Sequence, residues 1–295
     1  MTDREYLAYF KWWNGGLFFK EPTLPKQSPL VHDIWSAYLY GDTVKIVYIK
    51  SGPKRRKDGE KPKYFTTPSG DEDERFSQSI SRSKARVFEL ASCNEFKYFC
   101  TFTQNKELRD RFDITKFRKD FAQYVRNLNR GRAEESKIKY LLIPEQHKDG
   151  AWHLHGLLMG LTDKELTPFK VSDKIPQKIK KQIKSGEIVY NWRNYMQKFG
   201  FFTCTEIKEK GACCRYVTKY ISKDFQSGVR KAGEHLFFAS QGLKGRDIFV
   251  KNSADRCPVE VWDYENKYIK VKELPLSQIL DSNGELTFFG KDSGQ

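Results

Sequence analysis

Residues 143–156 read IPEQHKDGAWHLHG, and this stretch decides the fold predicted for the rest of the chain. Three of the five histidines of the protein fall within nine residues here. Asp149-Gly150 is typical of a hairpin turn, because both residue types accept a positive φ. Side chains two apart on a strand share a face, so His153 and His155 would present two imidazoles side by side. The stretch therefore predicts a β-hairpin that carries a histidine pair.

The strand before the turn, roughly residues 139–146, indicates a third group for the same face. Glu145 or a near neighbour would lie opposite His153, and two nitrogens with one carboxylate make an open divalent-metal site. With a strict two-residue turn Gln146 takes that position, whereas a bulge restores Glu145. His147 is also close enough to compete, although a loop-edge position favours solvent. The other interpretation is a pair of half-exposed histidines without a metal.

The charge balance points to a polyanion partner. The chain of 295 residues has 53 Lys and Arg against 38 Asp and Glu, a net charge of +15, which favours nucleic acid above all. Aromatic residues reach 15% and are interleaved with basic ones, as in the stretch from Tyr6 to Trp13. Such rings beside cations suit unstacked bases, although for any single ring a place in the core is the ordinary explanation.

Several classes of protein are excluded by missing patterns. No apolar run is long enough to span a membrane, and charges at residues 3–5 argue against a secretion signal. The six cysteines show no CxxC spacing, so we expect reduced thiols in a cytoplasmic protein rather than a disulfide framework or a zinc ribbon. No GxxxxGK[ST] motif occurs, so any duplex unwinding is left to a partner.

The pattern of apolar residues predicts three regions. Residues 1–90 would form an N-terminal accessory segment that contacts DNA, with a strand at 44–49, a basic loop at 52–63 and a helix at 74–90. Arg82 and Arg86 recur at helical spacing on that helix and would lie along a phosphate backbone. Residues 91–255 would form the main domain, with a lysine-rich insertion at 161–188. Residues 256–295 would be a C-terminal extension.

The main domain alternates strands and helices in an orderly way. Its predicted elements are a strand at 96–104, a helix at 114–128, hairpin strands at 138–146 and 152–159, a helix at 192–197, a strand at 200–207 and a helix at 212–225. This order predicts an α+β fold in which a central antiparallel β-sheet has its helices packed on one face.

Residues 216–223, YVTKYISK, carry the second chemical pattern. As a strand they would bury two lysines beside apolar groups, which is costly. As a helix they place Tyr216, Lys219, Tyr220 and Lys223 on one arc and turn the β-branched residues toward a core. Two phenols flanked by cations suit phosphoryl transfer, because a metal ion and cations ease phenol ionisation. The plainer interpretation is an amphipathic surface helix.

Taken together, these motifs resemble the HUH endonuclease family, and specifically the two-tyrosine rolling-circle replication initiators (Rep proteins) of bacterial plasmids and phages. The first motif corresponds to FCTFTQN at 99–105, the second to HLH at 153–155 and the third to YVTKYISK at 216–223. Residues 240–244, SQGLK, resemble a downstream feature of the same group. The motifs occur in the family order but cover less than half of the chain.

The resemblance implies an RRM-like palm that nicks single-stranded origin DNA. His153, His155 and Glu145 would hold Mg²⁺ or Mn²⁺, and Tyr216 or Tyr220 would attack the phosphate to leave a 5′-phosphotyrosine and a free 3′-OH. Lys219 or Lys223 would stabilise charge at the site. Thr101, Thr103 and Asn105, with Arg82 and Arg86, would contact the nucleic acid. The implied partners are a host helicase and DNA polymerase in the bacterial cytoplasm.

Two other functions fit the same residues. One is an HUH transposase or conjugative relaxase, although relaxases usually use a three-histidine cluster with the tyrosine near the N-terminus. The other is a non-catalytic single-stranded nucleic-acid-binding protein, whose sheet and cations merely hold the strand.

Overall fold

The computed structural model describes residues 34–50, 72–223, 235–253, 257, 259–266 and 269–280. These residues divide into two compact units. The first contains the described residues between 72 and 244, and the second contains residues 34–50 with those from 245 onward. The sequence-based boundaries at residues 90 and 255 stay a prediction, and the basic loop at 52–63 lies outside the described residues.

The helices and strands of the described residues are numbered in chain order. The helices are α1 (Glu72–Ser92), α2 (Ile114–Asn129), α3 (Gln177–Lys184), α4 (Arg193–Lys198) and α5 (Lys210–Lys223). The strands are β1 (Ile34–Tyr40), β2 (Thr43–Ile49), β3 (Tyr98–Thr103), β4 (Lys139–Gln146), β5 (Trp152–Met159), β6 (Leu166–Pro168), β7 (Tyr190–Trp192), β8 (Phe202–Glu206), β9 (Phe238–Ala239), β10 (Asp247–Ser253), β11 (Tyr264–Glu265) and β12 (Ile269–Pro275). Short 3₁₀ turns lie at Glu134–Ser136 and Leu276–Gln278.

The first unit is built on a seven-stranded antiparallel sheet with the order β6-β7-β8-β3-β5-β4-β9. The α+β class with a central antiparallel sheet is therefore confirmed. Strand β5, which carries the histidine pair, lies in the interior of this sheet between β3 and β4. The predicted insertion at 161–188 contains β6 and α3, so it extends the sheet at the edge farthest from β9.

Helices cover both faces of this sheet, which corrects the expectation of helices on one face. On the first face, α2 and α4 pack through Phe117, Phe121 and Tyr195 against a core of strand residues. On the second face, α1 and α5 pack over Leu141 and other strand residues. The physical reason lies in β4, whose run Tyr140-Leu-Leu-Ile143 is apolar on both sides and has to be buried on both sides.

The second unit is a five-stranded antiparallel sheet with the order β10-β1-β2-β12-β11. Gly41, at φ 60°, lies in the tight turn that joins β1 to β2. A small core of Trp35, Ala37, Val44, Ile46 and Ile279 supports the sheet. Lys45 is buried and its ammonium lies 2.7 Å from the Glu273 carboxylate, its direct partner on β12. Burial lowers the pKa of Lys45, and the Glu273 carboxylate opposes that shift.

All six cysteines are free. None of the helices in the described part of the chain combines the length and the apolar character that a membrane crossing requires.

Candidate active site

The histidine pair is oriented by the strand next to it. His153 and His155 alternate along β5 with the buried Leu154, and their direct partners on β3 are Thr103 and Thr101. The Thr103 Oγ1 lies 2.9 Å from Nδ1 of His153, and the Thr101 Oγ1 lies 3.0 Å from Nδ1 of His155. Each imidazole is therefore held through Nδ1, which turns its Nε2 edge away from β3.

The hairpin that joins β4 to β5 has the bulged form, so Glu145 lies directly opposite His153. The Gly150 amide donates to the His147 carbonyl at 2.8 Å and the His147 amide donates to the Ala151 carbonyl at 2.9 Å. Gly150 takes φ +83°, which is the extra left-handed residue of a three-residue hairpin loop. Gln146 faces the turn instead, where its side-chain amide donates to the Gly150 carbonyl at 2.8 Å.

Glu145 and His155 form the closest polar contact of the site. The carboxylate Oε2 lies 2.7 Å from Nε2 of His155, and both side chains are largely buried. The separation is that of an ion pair, but the two groups are not aligned as a hydrogen bond, and His155 Nε2 has no hydrogen-bond partner among the described residues. Among all the residues that the structure describes, no three His, Cys, Asp or Glu side chains are already arranged around a common metal position.

His147 adds a third imidazole at the edge of the site. Its side chain is exposed, and its ring stacks on that of His153 with centroids 3.7 Å apart and 12° between the planes. Burial lowers the pKa of His153 to about 4, and the neighbouring His147 and His155 act in the same direction. His153 is therefore neutral at neutral pH, which is the form of imidazole that binds a metal.

Helix α5 packs over the face of the sheet that carries the histidines. Glu209 caps its start, because its carboxylate accepts from the amides of Gly211 and Ala212. Val217 and Ile221 are buried against the sheet, and the helical interpretation of residues 216–223 is confirmed. The predicted end of this helix at residue 225 lies outside the described residues.

Tyr220 of α5 contacts the histidine pair, and Tyr216 contacts Tyr220. The Tyr220 ring stacks on the His155 ring with centroids 4.7 Å apart and 14° between the planes. The Tyr216 and Tyr220 hydroxyls lie 3.0 Å apart, within hydrogen-bond distance. Tyr216 is 48% exposed, whereas Tyr220 is half-buried. Tyr220 therefore lies beside the His155 imidazole, and Tyr216, within hydrogen-bond distance of Tyr220, is the exposed phenol of the pair.

Burial raises the pKa of Tyr220, and the hydrogen bond to Tyr216 and the Glu145 carboxylate add to that rise. Tyr220 is thus held as a neutral phenol in this structure. A cation near Glu145 would oppose that effect, because it would neutralise the carboxylate that disfavours a phenolate.

The remaining predicted site residues lie at the surface. Lys219 is exposed on α5, and the side chain of Lys223 lies outside the described part of the structure. Asn105 is exposed, and its side chain accepts from the Glu107 amide at 3.0 Å. Arg82 and Arg86 are exposed on α1, and Arg86 is paired with Glu89 at 2.5 Å. The structure thus brings together the histidines, Glu145, the two threonines and the tyrosines, and among the described residues none of the contacts within this cluster involves Lys219, Asn105, Arg82 or Arg86.

Sequence reasoning missed Phe99, which supports both phenols. Its ring centroid lies 5.5 Å from that of Tyr216 and 6.2 Å from that of Tyr220. The signal was present, because Phe99 shares the second face of β3 with Thr101 and Thr103. The bonds from the threonine hydroxyls to the imidazoles were also missed, since they require the pairing of β3 with β5, about fifty residues further along the chain.

Residues 97–225 match the model of the family described as replication-associated protein ORF2. The match covers all three sequence motifs but less than half of the chain, and it supports a rolling-circle Rep-like protein that interacts with DNA in replication. No curated protein and no solved structure matches the chain.

Proposed function

We propose that this protein is a rolling-circle replication initiator of the two-tyrosine HUH type, which nicks and rejoins single-stranded origin DNA by metal-dependent tyrosine transesterification. The observation that carries the proposal is the stack of Tyr220 on His155, with its hydroxyl 3.0 Å from that of Tyr216. A nucleophile on a distant helix and a candidate metal ligand are thus in direct contact, at a distance that one phosphodiester can bridge.

The donor set fits a divalent cation. His153 and His155 offer imidazole nitrogens and Glu145 offers a carboxylate, a mixture that suits Mn²⁺ and Mg²⁺ with water in the other positions. The buried Nε2 of His155 has no hydrogen-bond partner among the described residues, which is costly unless something binds it. The Glu145 carboxylate and Nε2 of His155 lie 2.7 Å apart, so both groups would bind the same ion.

When bound, such an ion would polarise the scissile phosphate and offset the charge that grows on it. The residues of this chain supply the rest. Tyr216 or Tyr220 provides the attacking oxygen, and Phe99 and His155 hold the rings in place. The phenol–phenol hydrogen bond lets one hydroxyl donate to the other, which stabilises negative charge on the acceptor oxygen. Lys219 would add positive charge beside the phosphate, and the sequence resemblance implies the same role for Lys223.

The reaction balances without water or an external energy source. A P–O bond forms to the tyrosine oxygen, the P–O3′ bond breaks, and the proton lost by the phenol is balanced by the one that the 3′-oxygen gains. The products are a 5′-phosphotyrosine and a free 3′-OH, which would prime a host polymerase while a host helicase opens the duplex. Reversal of the same step rejoins the strand, and a second phenol allows a second transfer.

The test is to incubate the full chain with labelled single-stranded oligonucleotides that tile the replicon encoding it, in the presence of Mn²⁺. We expect a covalent protein–DNA adduct that survives denaturing electrophoresis. Chelation should remove the adduct, and so should the double substitution Tyr216→Phe with Tyr220→Phe. The single substitutions show which phenol acts first, and we expect Tyr216 because it is the more exposed nucleophile.

Tight binding that ignores Mn²⁺ and gives no adduct with any oligonucleotide would contradict the proposal. That result would instead identify a non-catalytic protein that holds single strands. An adduct that persists in the double phenylalanine variant would equally exclude these two tyrosines as nucleophiles.

A further inference from the structure

Two hydroxyl groups that the sequence predicts to contact DNA lie within hydrogen-bond distance of the histidines. Thr101 and Thr103 lie on the same face of β3, and each is the direct partner of one histidine on β5. Their Oγ1 atoms lie 3.0 Å and 2.9 Å from Nδ1 of His155 and His153. Both threonine side chains are half-buried, and their hydroxyls are engaged with the imidazoles.

The chemistry of imidazole gives this contact a consequence. A neutral ring carries one proton, and the partner of one nitrogen decides whether the other keeps a free lone pair. If a hydroxyl oxygen accepts from Nδ1–H, then Nε2 is the unprotonated nitrogen and can bind a cation. If the hydroxyl donates to Nδ1 instead, Nε2 carries the proton and is lost as a ligand.

The other side of the histidine pair favours the first arrangement. Nε2 of His155 lies 2.7 Å from the Glu145 carboxylate, but the two are not aligned as a hydrogen bond, whereas Nδ1 of the same ring is within hydrogen-bond distance of the Thr101 hydroxyl. The Nδ1 contacts of both rings are the well-formed hydrogen bonds of the site.

We propose that Thr101 and Thr103 are positioning residues, whose hydroxyls accept from Nδ1–H of His155 and His153 and thereby keep both Nε2 atoms as lone-pair donors for a divalent cation. The inference rests on the proposed function for the identity of the ligand, but the proton position that it assigns belongs to the metal-free protein. It makes the first motif, at residues 99–105, a support of the ligand set rather than part of the DNA surface.

The first experiment measures the ring protons directly. In the full chain with ¹⁵N-labelled histidine and no metal, nitrogen chemical shifts distinguish the two tautomers, and with five histidines the spectrum can be assigned by substitution. We expect His153 and His155 to carry the proton on Nδ1. We expect Thr101→Val and Thr103→Val to lose that preference at their own histidine, and Thr→Ser at either position to keep it.

The second experiment measures Mn²⁺ affinity by electron paramagnetic resonance. Loss of a partner behind a metal ligand typically costs about 10–100-fold in affinity, so each valine variant should bind Mn²⁺ at least about tenfold more weakly. The serine variants should stay close to the parent protein. Thr203→Val is the matched control, because Thr203 is the partner of Thr101 on β8 and makes no hydrogen bond to either histidine in the described structure.

Two results would overturn the proposal. One is a proton on Nε2 of both histidines in the parent protein, and the other is unchanged Mn²⁺ affinity in both valine variants. If a valine variant fails to fold, the parent spectrum and the serine variants still decide. If the parent protein binds no Mn²⁺ at all, the cation site of the proposed function fails, while the tautomer measurement still tests the role of the threonines.

Discussion

Gly156, the residue after the second histidine, shows how tightly the sheet is packed at the site. A Cβ at this position would lie 2.0 Å from the Leu141 carbonyl oxygen and 2.9 Å from the Leu142 Cα, both backbone atoms of β4. The structure requires glycine here because no side chain can yield to make room. The positions of the two histidines and the distance between β4 and β5 therefore depend on the same short segment, residues 153–156.

We predict that Gly156→Ala lowers the free energy of unfolding by at least about 1–3 kcal/mol, which is the usual cost of forcing extra volume into a packed region. Gly131→Ala is the control, because a Cβ there meets nothing within 4 Å. That variant should stay within about 0.5 kcal/mol of the parent protein. Urea unfolding of the three proteins measures both effects, and equal stability of the two variants would contradict the prediction.

The lowered pKa of His153 predicts how the stability of the metal-free protein depends on pH. Its pKa is lowered to about 4 in the folded chain from an ordinary value of 6.5, chiefly by burial. Between those values the unfolded chain binds the proton more readily than the folded chain, so stability rises with pH across this window. The contribution of His153 is present above about pH 6.5 and is lost as pH falls through 4.

The measurement is the free energy of unfolding at several pH values across that window, with a chelator present. His153→Gln should flatten the slope relative to the parent protein, whatever it does to absolute stability. A variant with the parent slope would show that other groups control the dependence.

Among the elements, helix α1 presents two arginines with different surroundings. Arg86 already pairs with Glu89 at 2.5 Å, whereas Arg82 has no ion pair within the described residues. We expect Arg82→Ala to weaken single-strand binding evenly across sequences and to lower the salt slope by about 0.7, the value for one phosphate contact on a single strand. Arg86→Ala should have a smaller effect, because Glu89 offsets its charge.

Filter binding at several salt concentrations tests this difference, with Lys97→Ala as a control. Lys97 is exposed as well, and it lies between Asp163 and Glu206 at 3.6 Å each. Equal salt slopes for the parent protein and the Arg82 variant would show that Arg82 of α1 does not contact the DNA.

Local pattern explains which elements could be predicted. Both ends of α1, α2 and α4, the start of α5, and both ends of the strands β3, β4, β5 and β8 lie within two residues of the predictions, because their apolar residues recur at a clear period. The strands β6 and β7 have three residues each, which is too short for a period to show. The pairing of β1 with β10 joins residues that are far apart in the chain, such as Trp35 and Ser253, and no local signal records it.

The candidate site shows the same difference between features that a local pattern predicts and features that depend on long-range packing. The alternation of HLH indicated the shared face of the histidines, and the helical period of residues 216–223 indicated the shared arc of the tyrosines. The sequence left the third ligand open, and the register then put Glu145 opposite His153. It could not show that Tyr220 stacks on His155, because that contact depends on how α5 crosses the sheet.

For the whole molecule, the net charge of +15 and the small histidine site make separate contributions to function. Charge attracts the phosphates of a strand over a wide surface, and each neutralised phosphate adds about 0.7 to the salt slope. The histidine site would act on a single phosphate. We therefore predict that His153→Ala abolishes cleavage. Its single-strand affinity should fall by no more than the loss of one phosphate contact causes, and its salt slope should change by no more than about 0.7.

The two readouts are adduct formation with Mn²⁺ and filter binding without metal, made on the same preparation of the full chain. Thr203→Val serves as a control for an unrelated change on the same face of the sheet, and it should alter neither readout. If His153→Ala loses binding and cleavage together, the histidine is supporting the fold and not the reaction. In that case the effects of His153 on DNA binding and on cleavage cannot be separated. Removing its side chain would leave buried polar groups beside β5 without partners, and this would disturb the central strands that support both activities.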